Sequence, residues 1–513
     1  MAKTTTQKAA LNMITGAIVE CVALVCGLIL PRLVLANYGS AYNGITSSAR
    51  QFLSATSILT LGVAGTTRVA LYKTLSVNDI EGSSAIVRAT EIYMRRVGII
   101  LAIYVVLLAI VYPLLVDTGY TWMEVAPLIL AAGISSFGTY YFGTTYQAFL
   151  SADQSIYITN TFTIIATIVN TALSAMLISL HCTIQTVMLA SSFVLFMKPL
   201  LQSVYVNKKY KLIRNCPPDT TALAKRKDVM AHSIANIVHD NTDIIVLTIF
   251  CNVKVVSVYT VYNLIMNALR KLQGVFTTGT EAIFGKMWVK HELGKIKKTL
   301  ELYEYAVTFI ISTVFSTTLV MILPFIAHYT KRVTDVEYIL PQYALIITIA
   351  QMCFCMRAPY LTLVQGAGKY RETRNGAFVE AALNIFISVI LVQFMGISGV
   401  AVGTLIANLF RTVQYAIYID KHIIHRGMSV FLRKIIWASF NVAGVYFICI
   451  SMANRFSFEG WYSWIIVGLC VFSISFVFTT LSSIAFYKED LRRIWIIVKK
   501  QLMKRGTITR KTD

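Results

Sequence analysis

The sequence predicts an all-α polytopic membrane protein whose chain crosses the bilayer about 14 times. Of its 513 residues, 56% are hydrophobic and only 14% are charged, whereas a soluble domain carries about 25% charged residues. Long apolar runs recur along the whole chain, and runs of about 20 apolar residues cross membranes as helices. The second set of runs repeats the first. Together these observations predict two pseudo-symmetric six-helix lobes followed by two C-terminal helices.

The apolar runs give the candidate spans in order, with boundaries accurate to a few residues. The first run follows Lys3 and Lys8, but it is too long for the apolar core of a signal peptide and is expected to remain as a helix. The spans, numbered 1 to 14, fall at 11–36, 44–71, 97–117, 124–149, 156–179, 183–206, 229–251, 255–281, 303–327, 338–364, 376–395, 398–419, 434–453 and 462–487.

The distribution of cations predicts the topology. Links from odd to even spans are short and carry few cations, whereas links from even to odd spans are basic. Basic loops remain in the cytoplasm, so both termini are expected there. The net charge of +22 would suggest a nucleic-acid partner in a soluble protein, but positive cytoplasmic loops explain it here, and no nucleic-acid partner is expected.

A constant offset of 214 residues relates the two halves. The offset predicts an N-terminal lobe at 1–206, a basic cytoplasmic linker at 207–228, a second lobe at 229–419, an additional helix pair at 420–487 and a basic cytoplasmic tail at 488–513. Two repeated sets of spans are the architecture of alternating-access transporters. Positions that correspond at this offset are Tyr146 and Tyr360, Asn170 and Asn384, Ser174 and Ser388, and Gly65 and Gly279.

Arginines within the spans are the candidate substrate-binding residues. A charge near the bilayer centre costs about 2.5–3.5 kcal/mol, so it normally faces a cavity or a partner. Span 2 places Arg50 and Arg68 on one face, and Arg270 lies on a polar face of span 8. Because guanidinium holds phosphate oxygens bidentately, an anionic, phosphate-bearing substrate is predicted. The full set of cavity candidates is Arg50, Arg270, Arg68, Arg357, Asn263 and Asn267.

An alternative interpretation is that Arg50 and Arg270 snorkel, or pair with Glu281 or Asp243. Intramembrane acids commonly serve as ion relays, and span 7 is the most polar span. The candidates for ion coupling are Asp243, Asp240, His239, Glu380 and Glu281. Hydrogen bonding between helices explains these residues about as well.

No metal or cofactor is expected from the sequence. The polar residues of span 7 lack further ligands nearby for a metal. The nine cysteines are scattered without a CxxC pair, so they signal neither a zinc site nor a disulfide framework.

Four segments carry a resemblance to a known family. They are Gly366–Asn384 (GAGKYRETRNGAFVEAALN), Met395–Thr404 (MGISGVAVGT), His232–Asp243 (HSIANIVHDNTD) and Val258–Asn263 (VYTVYN). These segments resemble the polysaccharide-transporter (Wzx-like) branch of the MOP flippase superfamily, over roughly residues 10–485.

The resemblance implies a V-shaped pair of six-helix lobes in which spans 1, 2, 7 and 8 line a central cationic cavity. It also implies export of undecaprenyl-diphosphate-linked oligosaccharide across the cell membrane of a bacterium, with Arg50 and Arg270 holding the diphosphate. A polysaccharide polymerase and glycosyltransferases of the same pathway would then be possible partners, besides the lipid-linked substrate and the bilayer itself.

Three other functions compete with this one. A lipid II flippase is a close neighbour, and a MATE-type multidrug or cation antiporter would need an acid-lined cavity rather than arginines. A membrane glycosyltransferase or polymerase would typically need a sizeable extramembrane loop with catalytic groups. The longest loops, near 72–96, 207–228 and 282–302, are short and basic and lack a carboxylate pair, so an enzyme is not expected.

Overall fold

A computed structural model describes residues 4–213, 215–219, 221, 237, 241–277, 280–455, 460–496 and 499. Across these residues the chain is helical and contains no strand, which confirms the predicted all-α class. The helices are α1 Thr5–Ala55, α2 Val63–Ser76, α3 Ile80–Leu115, α4 Trp122–Gly138, α5 Thr144–Ala152, α6 Ile156–Ser179, α7 Ile184–Tyr210, α8 Asn241–Phe250, α9 Val253–Thr277, α10 Thr280–Val289, α11 Leu293–Tyr329, α12 Pro341–Met356, α13 Ala358–Gly366, α14 Tyr370–Met395, α15 Ile397–Ile419, α16 Ser429–Arg455 and α17 Trp461–Phe486.

Short polar side chains set several helix starts. Thr4 and Gln7 form a reciprocal capping box at the start of α1, and Thr121 with Glu124 forms another at the start of α4. Asp79 accepts a hydrogen bond from the Gly82 backbone N–H at 2.8 Å at the start of α3. Each cap satisfies backbone donors that the first helical turn leaves free.

Within the described residues, 11 helices are long and apolar enough to cross a membrane. The predicted count of 14 differs for three reasons. Spans 1 and 2 count once within the stretch Thr5–Thr60, although the backbone between them is non-helical at Gly39, which has a φ of 84°. Span 7 is described only from Asn241. Span 8 corresponds to α9, which is too polar to count as a membrane-crossing helix because it carries Lys254, Arg270 and Lys271.

The continuous helix predicted at 44–71 is wrong. The chain leaves the α-helical path after Ala55 through a 3₁₀ turn at Thr56–Thr60, and Gly62 has a φ of 77° before α2 begins. Only glycine adopts this backbone conformation without strain. Arg50 and Arg68 therefore lie on two separate helices and do not share one helical face.

Contacts divide the chain into two compact units. Unit 1 comprises Met1–Leu264 and Arg332–Glu337, and unit 2 comprises Ile265–Lys331 and Tyr338–Asp513. In unit 1, α1 packs on α6, and α4 packs on α7 and α3. In unit 2, α15 packs on α14 and α12, and the additional helices α16 and α17 both pack on α11. The lobe boundaries predicted from the repeat stay a prediction.

One pair of tyrosines separated by 214 residues interacts with glutamates, one tyrosine in each unit. Tyr146 donates a hydrogen bond to Glu91 of α3 in unit 1, and Tyr360 interacts with Glu304 of α11 in unit 2. The two tyrosines correspond at the 214-residue offset. In each unit, therefore, a tyrosine and a glutamate join two helices.

Candidate functional site

Arg50 lies in the second-last turn of α1, within unit 1, and its side chain is exposed. It forms no hydrogen bond or ion pair with the described residues. The neighbouring Gln51 donates to the Asn241 Oδ1 of α8 at 2.7 Å, and Ser54 donates to the same oxygen. These bonds fix the end of α1 against α8 and leave the Arg50 guanidinium available for an anion.

Arg68 occupies α2, where its side chain is also exposed and has no polar partner in the described part of the chain. Because α2 follows the break at residues 56–62, the position of Arg68 is independent of the face that carries Arg50. The structure keeps both arginines in unit 1 but does not bring their side chains into contact.

Two arginines of unit 2 share one aromatic ring. The Arg270 guanidinium carbon lies 4.7 Å from the centre of the Phe354 ring, and that of Arg357 lies 4.0 Å from it. Arg270 also donates through Nε to the buried Gln351 Oε1 at 2.8 Å. Cation–π contacts of this kind hold guanidinium groups without consuming their hydrogen-bond donors.

A buried carboxylate joins this group. Glu380, 5% exposed, pairs with Arg357, and its second oxygen lies 3.5 Å from the Nε of Arg411. We name Arg270, Phe354, Arg357, Glu380 and Arg411 the arginine cluster. The arginine cluster thus brings three guanidinium groups together with the carboxylate of Glu380.

Sequence reasoning missed Arg411. The residue lies within span 12, 398–419, and the rule that a charge inside a span needs a partner would have identified it. Arg411 donates to the Thr373 carbonyl at 2.8 Å, to Gln414 Oε1 at 2.6 Å and to the Tyr415 hydroxyl at 2.6 Å. Its partner Glu380 was predicted as an ion-coupling residue, and the structure places that acid in an ion pair.

The remaining predicted residues lie in three places. Asn263, half-buried, and Asn267, exposed, lie on α9 without polar side-chain partners among the described residues. Asp243 is buried in α8 and accepts a hydrogen bond from Tyr259 at 3.2 Å. Glu281 is exposed in the first turn of α10. His239 and Asp240 lie outside the described residues.

A second ionic group in unit 2 has a balanced charge. Glu304 of α11 pairs with Arg426 and with Lys434 Nζ, the latter at 3.0 Å, and Asp420 Oδ1 lies 3.1 Å from Arg426 Nε. Burial would lower the pKa of Arg426, but Glu304 and Asp420 hold it above its ordinary value. Two acids balance two bases here, so this group joins α16 to α11 and has no charge left for a ligand.

A cavity of about 250 Å³ in unit 1 is lined by Asp79, Asp153 and Tyr210 among others, and by none of the predicted site residues. Its two carboxylates do not suit an anionic ligand. Elsewhere in the described part of the chain, no group of three or more His, Cys, Asp or Glu residues is placed to hold a metal ion.

Comparison with known proteins gives a fold but no close relative. No protein-family model matches the sequence, and no curated protein matches it. Among solved structures, the lipid II flippase MurJ in an inward closed conformation is similar over 92% of this chain and 98% of that one, with a TM-score of 0.69 and 13% identity. The chain has the fold of the MOP superfamily transporters.

Two further structures share the MOP fold. A multidrug resistance MATE family transporter of the MOP superfamily, in an inward-facing conformation, is similar over 80% of this chain and 98% of that one, with a TM-score of 0.59 and 15% identity. The MATE transporter VcmN of Vibrio cholerae is similar over 81% and 97%, with a TM-score of 0.54 and 14% identity. All three are transporters. This chain shares their fold, and its described residues include 11 helices long and apolar enough to cross a membrane.

Proposed function

We propose that the protein flips an undecaprenyl-diphosphate-linked oligosaccharide from the cytoplasmic to the outer leaflet of a bacterial inner membrane, by alternating access, for surface polysaccharide synthesis. The observation that carries the proposal is the presence of arginines within the helices. Arg50 has no polar partner among the described residues, and three guanidinium groups gather around Phe354 and Glu380 in the arginine cluster. A diphosphate is the kind of anion that guanidinium groups bind.

The proposed roles follow from donor chemistry. Arg50, Arg270 and Arg357 are the proposed ligands of the diphosphate oxygens, because planar guanidinium groups bind such oxygens in pairs. Arg68 adds positive charge in unit 1. The free amides of Asn263 and Asn267 would donate to and accept from sugar hydroxyls. The polyprenyl tail would stay in the lipid, so that only the polar head group needs a path shielded from hydrocarbon.

Lipid II is the second candidate cargo, since the chain shares its fold with a lipid II flippase. Lipid II also carries a polyprenyl diphosphate, so the arginines do not separate the two cargoes. A cationic drug, the cargo type of a MATE-type antiporter, is disfavoured by repulsion from Arg50, which has no acidic partner among the described residues.

The test is a flipping assay in sealed proteoliposomes that contain the full-length protein and one labelled cargo. The three cargoes are an undecaprenyl-diphosphate oligosaccharide, lipid II and a cationic dye. We expect protein-dependent movement of the oligosaccharide carrier between leaflets. Movement of lipid II alone would assign the second candidate, and movement of the dye alone would overturn the proposal.

A further inference from the structure

Glu380 forms an ion pair with Arg357, an arginine that the proposed function assigns to the cargo. Its Oε1 accepts from the Arg357 guanidinium, and only 7% of the Glu380 side chain and 11% of the Arg357 side chain are exposed. A carboxylate and a phosphate oxygen compete for the same guanidinium donors. Arg357 therefore cannot bind a diphosphate with its full set of donors while Glu380 holds it.

Arg411 is a second ion-pair partner for the Glu380 carboxylate. Its Nε lies 3.5 Å from the other Glu380 oxygen, and its side chain is only 3% exposed. Three further acceptors fix the outer nitrogens of Arg411, namely the Thr373 carbonyl, Gln414 and the Tyr415 hydroxyl. A Glu380 carboxylate released by Arg357 would thus remain paired with Arg411, which avoids the cost of an unpaired buried charge.

Arg357 is held by fewer partners than Arg411. It lies at the junction where α12 ends at Met356 and α13 begins at Ala358. In the described part of the chain, its polar and ring partners are Glu380 and Phe354. The Arg357 side chain can therefore turn toward a ligand while Arg411 stays in place.

We infer that Glu380 is a built-in competitor of the cargo diphosphate for Arg357, and that Arg411 is the positioning residue that receives Glu380 when the cargo binds. The inference rests on the proposed function. Its consequence is a moderated affinity: the cargo binds more weakly than it would if no acid competed for Arg357, which permits its release on the far side of the membrane.

The experiment measures binding of inorganic pyrophosphate to the purified full-length protein by calorimetry. Glu380→Gln should bind at least about fivefold more tightly than wild type, and Arg411→Gln at least about fivefold more weakly, because Glu380 then stays on Arg357. The control is Glu372→Gln, which removes one carboxylate from the same helix at an exposed pair with Lys369. No change is expected there.

Opposite signs for the two variants distinguish competition from a merely structural role, which would weaken binding in both. Weaker or unchanged binding by Glu380→Gln overturns the inference and leaves the proposed function standing if wild type binds. Absence of binding by wild type and by Glu380→Gln would overturn the anion site itself. Should Glu380→Gln not fold, Glu380→Asp keeps the charge but moves it one methylene away from Arg357. The same tightening, at smaller magnitude, is then expected, and its absence overturns the inference.

Discussion

Charged side chains inside the helices of this protein fall into two kinds. Those of the first kind are paired, as Glu304 is with Arg426 and Lys434. The second kind is represented by Arg50, which has no polar partner among the described residues. The sequence predicted that arginines lie within the spans, but not which of them are paired, because pairing joins residues as distant as Glu304 and Arg426. Arg357 was predicted as one of the substrate-binding residues, and the structure adds that it shares Glu380 with Arg411.

Glu304→Gln tests the balanced ionic group. The substitution leaves Arg426 and Lys434 with one acid fewer in a site where Glu304 is 1% exposed. Breaking a buried ion pair in this way costs about 3–5 kcal/mol of unfolding free energy. Thermal unfolding in detergent measures the loss, with the exposed Glu372→Gln as control. A change no larger than that of the control would contradict the assigned role.

The link between α5 and α6 should respond to acid. Asp153 accepts from Lys8 Nζ at 2.9 Å, from Tyr210 at 2.6 Å and from Ser155 at 2.6 Å. Burial raises the pKa of Asp153, but these hydrogen bonds together hold it below its ordinary value. A depressed pKa gives stability that is present above the ordinary value and is lost as pH falls through the folded-state value.

Asp153→Asn should therefore unfold about 2 kcal/mol more easily than wild type at pH 7. This difference should shrink as the pH falls below about 4. Unfolding curves at a series of pH values measure it, with the exposed Asp117→Asn as control. A difference that does not depend on pH would show that the charge of Asp153 contributes nothing.

At the scale of elements, apolar runs predicted where helices occur but not where they break. Residues 44–71 were predicted as one span, yet the helix is interrupted between Ala55 and Val63. Gly62 was the main local sequence feature that indicated this break. The bend in α1 at Gly39, with a φ of 84°, falls inside the link predicted between spans 1 and 2. There the Ser40 backbone N–H and hydroxyl donate to Asp335, at 3.0 and 2.6 Å, a contact across some 300 residues that no local pattern reveals.

Gly44 marks a close approach of α1 to the start of α9. A Cβ added there would lie 1.7 Å from the Val253 carbonyl oxygen. Because the obstacle is backbone, Gly44→Ala should lower the unfolding free energy by about 3 kcal/mol. Gly27→Ala in the same helix, where a Cβ meets no atom within 4 Å, is the matched control. Equal melting temperatures for the two variants would contradict this packing.

At the scale of the whole molecule, the fold class follows from hydropathy and is confirmed by likeness to the lipid II flippase over 92% of the chain. The two-fold repeat stays a prediction; Asn43 Nδ2 donates to Ser257 Oγ at 2.7 Å, between two positions that are 214 residues apart. The fold class does not identify the cargo, because one fold carries lipid II in one protein and drugs in another. The arginines inside the spans are the feature that favours an anionic cargo.

The most direct measurement compares flipping of an undecaprenyl-diphosphate oligosaccharide by wild type and by the Arg50→Ala/Arg270→Ala double variant in sealed proteoliposomes. The control is Lys297→Ala/Lys298→Ala, which removes two exposed cations at the start of α11. We predict that the control flips at the wild-type rate and that the arginine variant, folded and inserted, loses at least about 90% of the rate, as expected if each arginine contributes 1.5–3 kcal/mol through charged hydrogen bonds. Near-normal flipping by the arginine variant would contradict a function built on diphosphate binding.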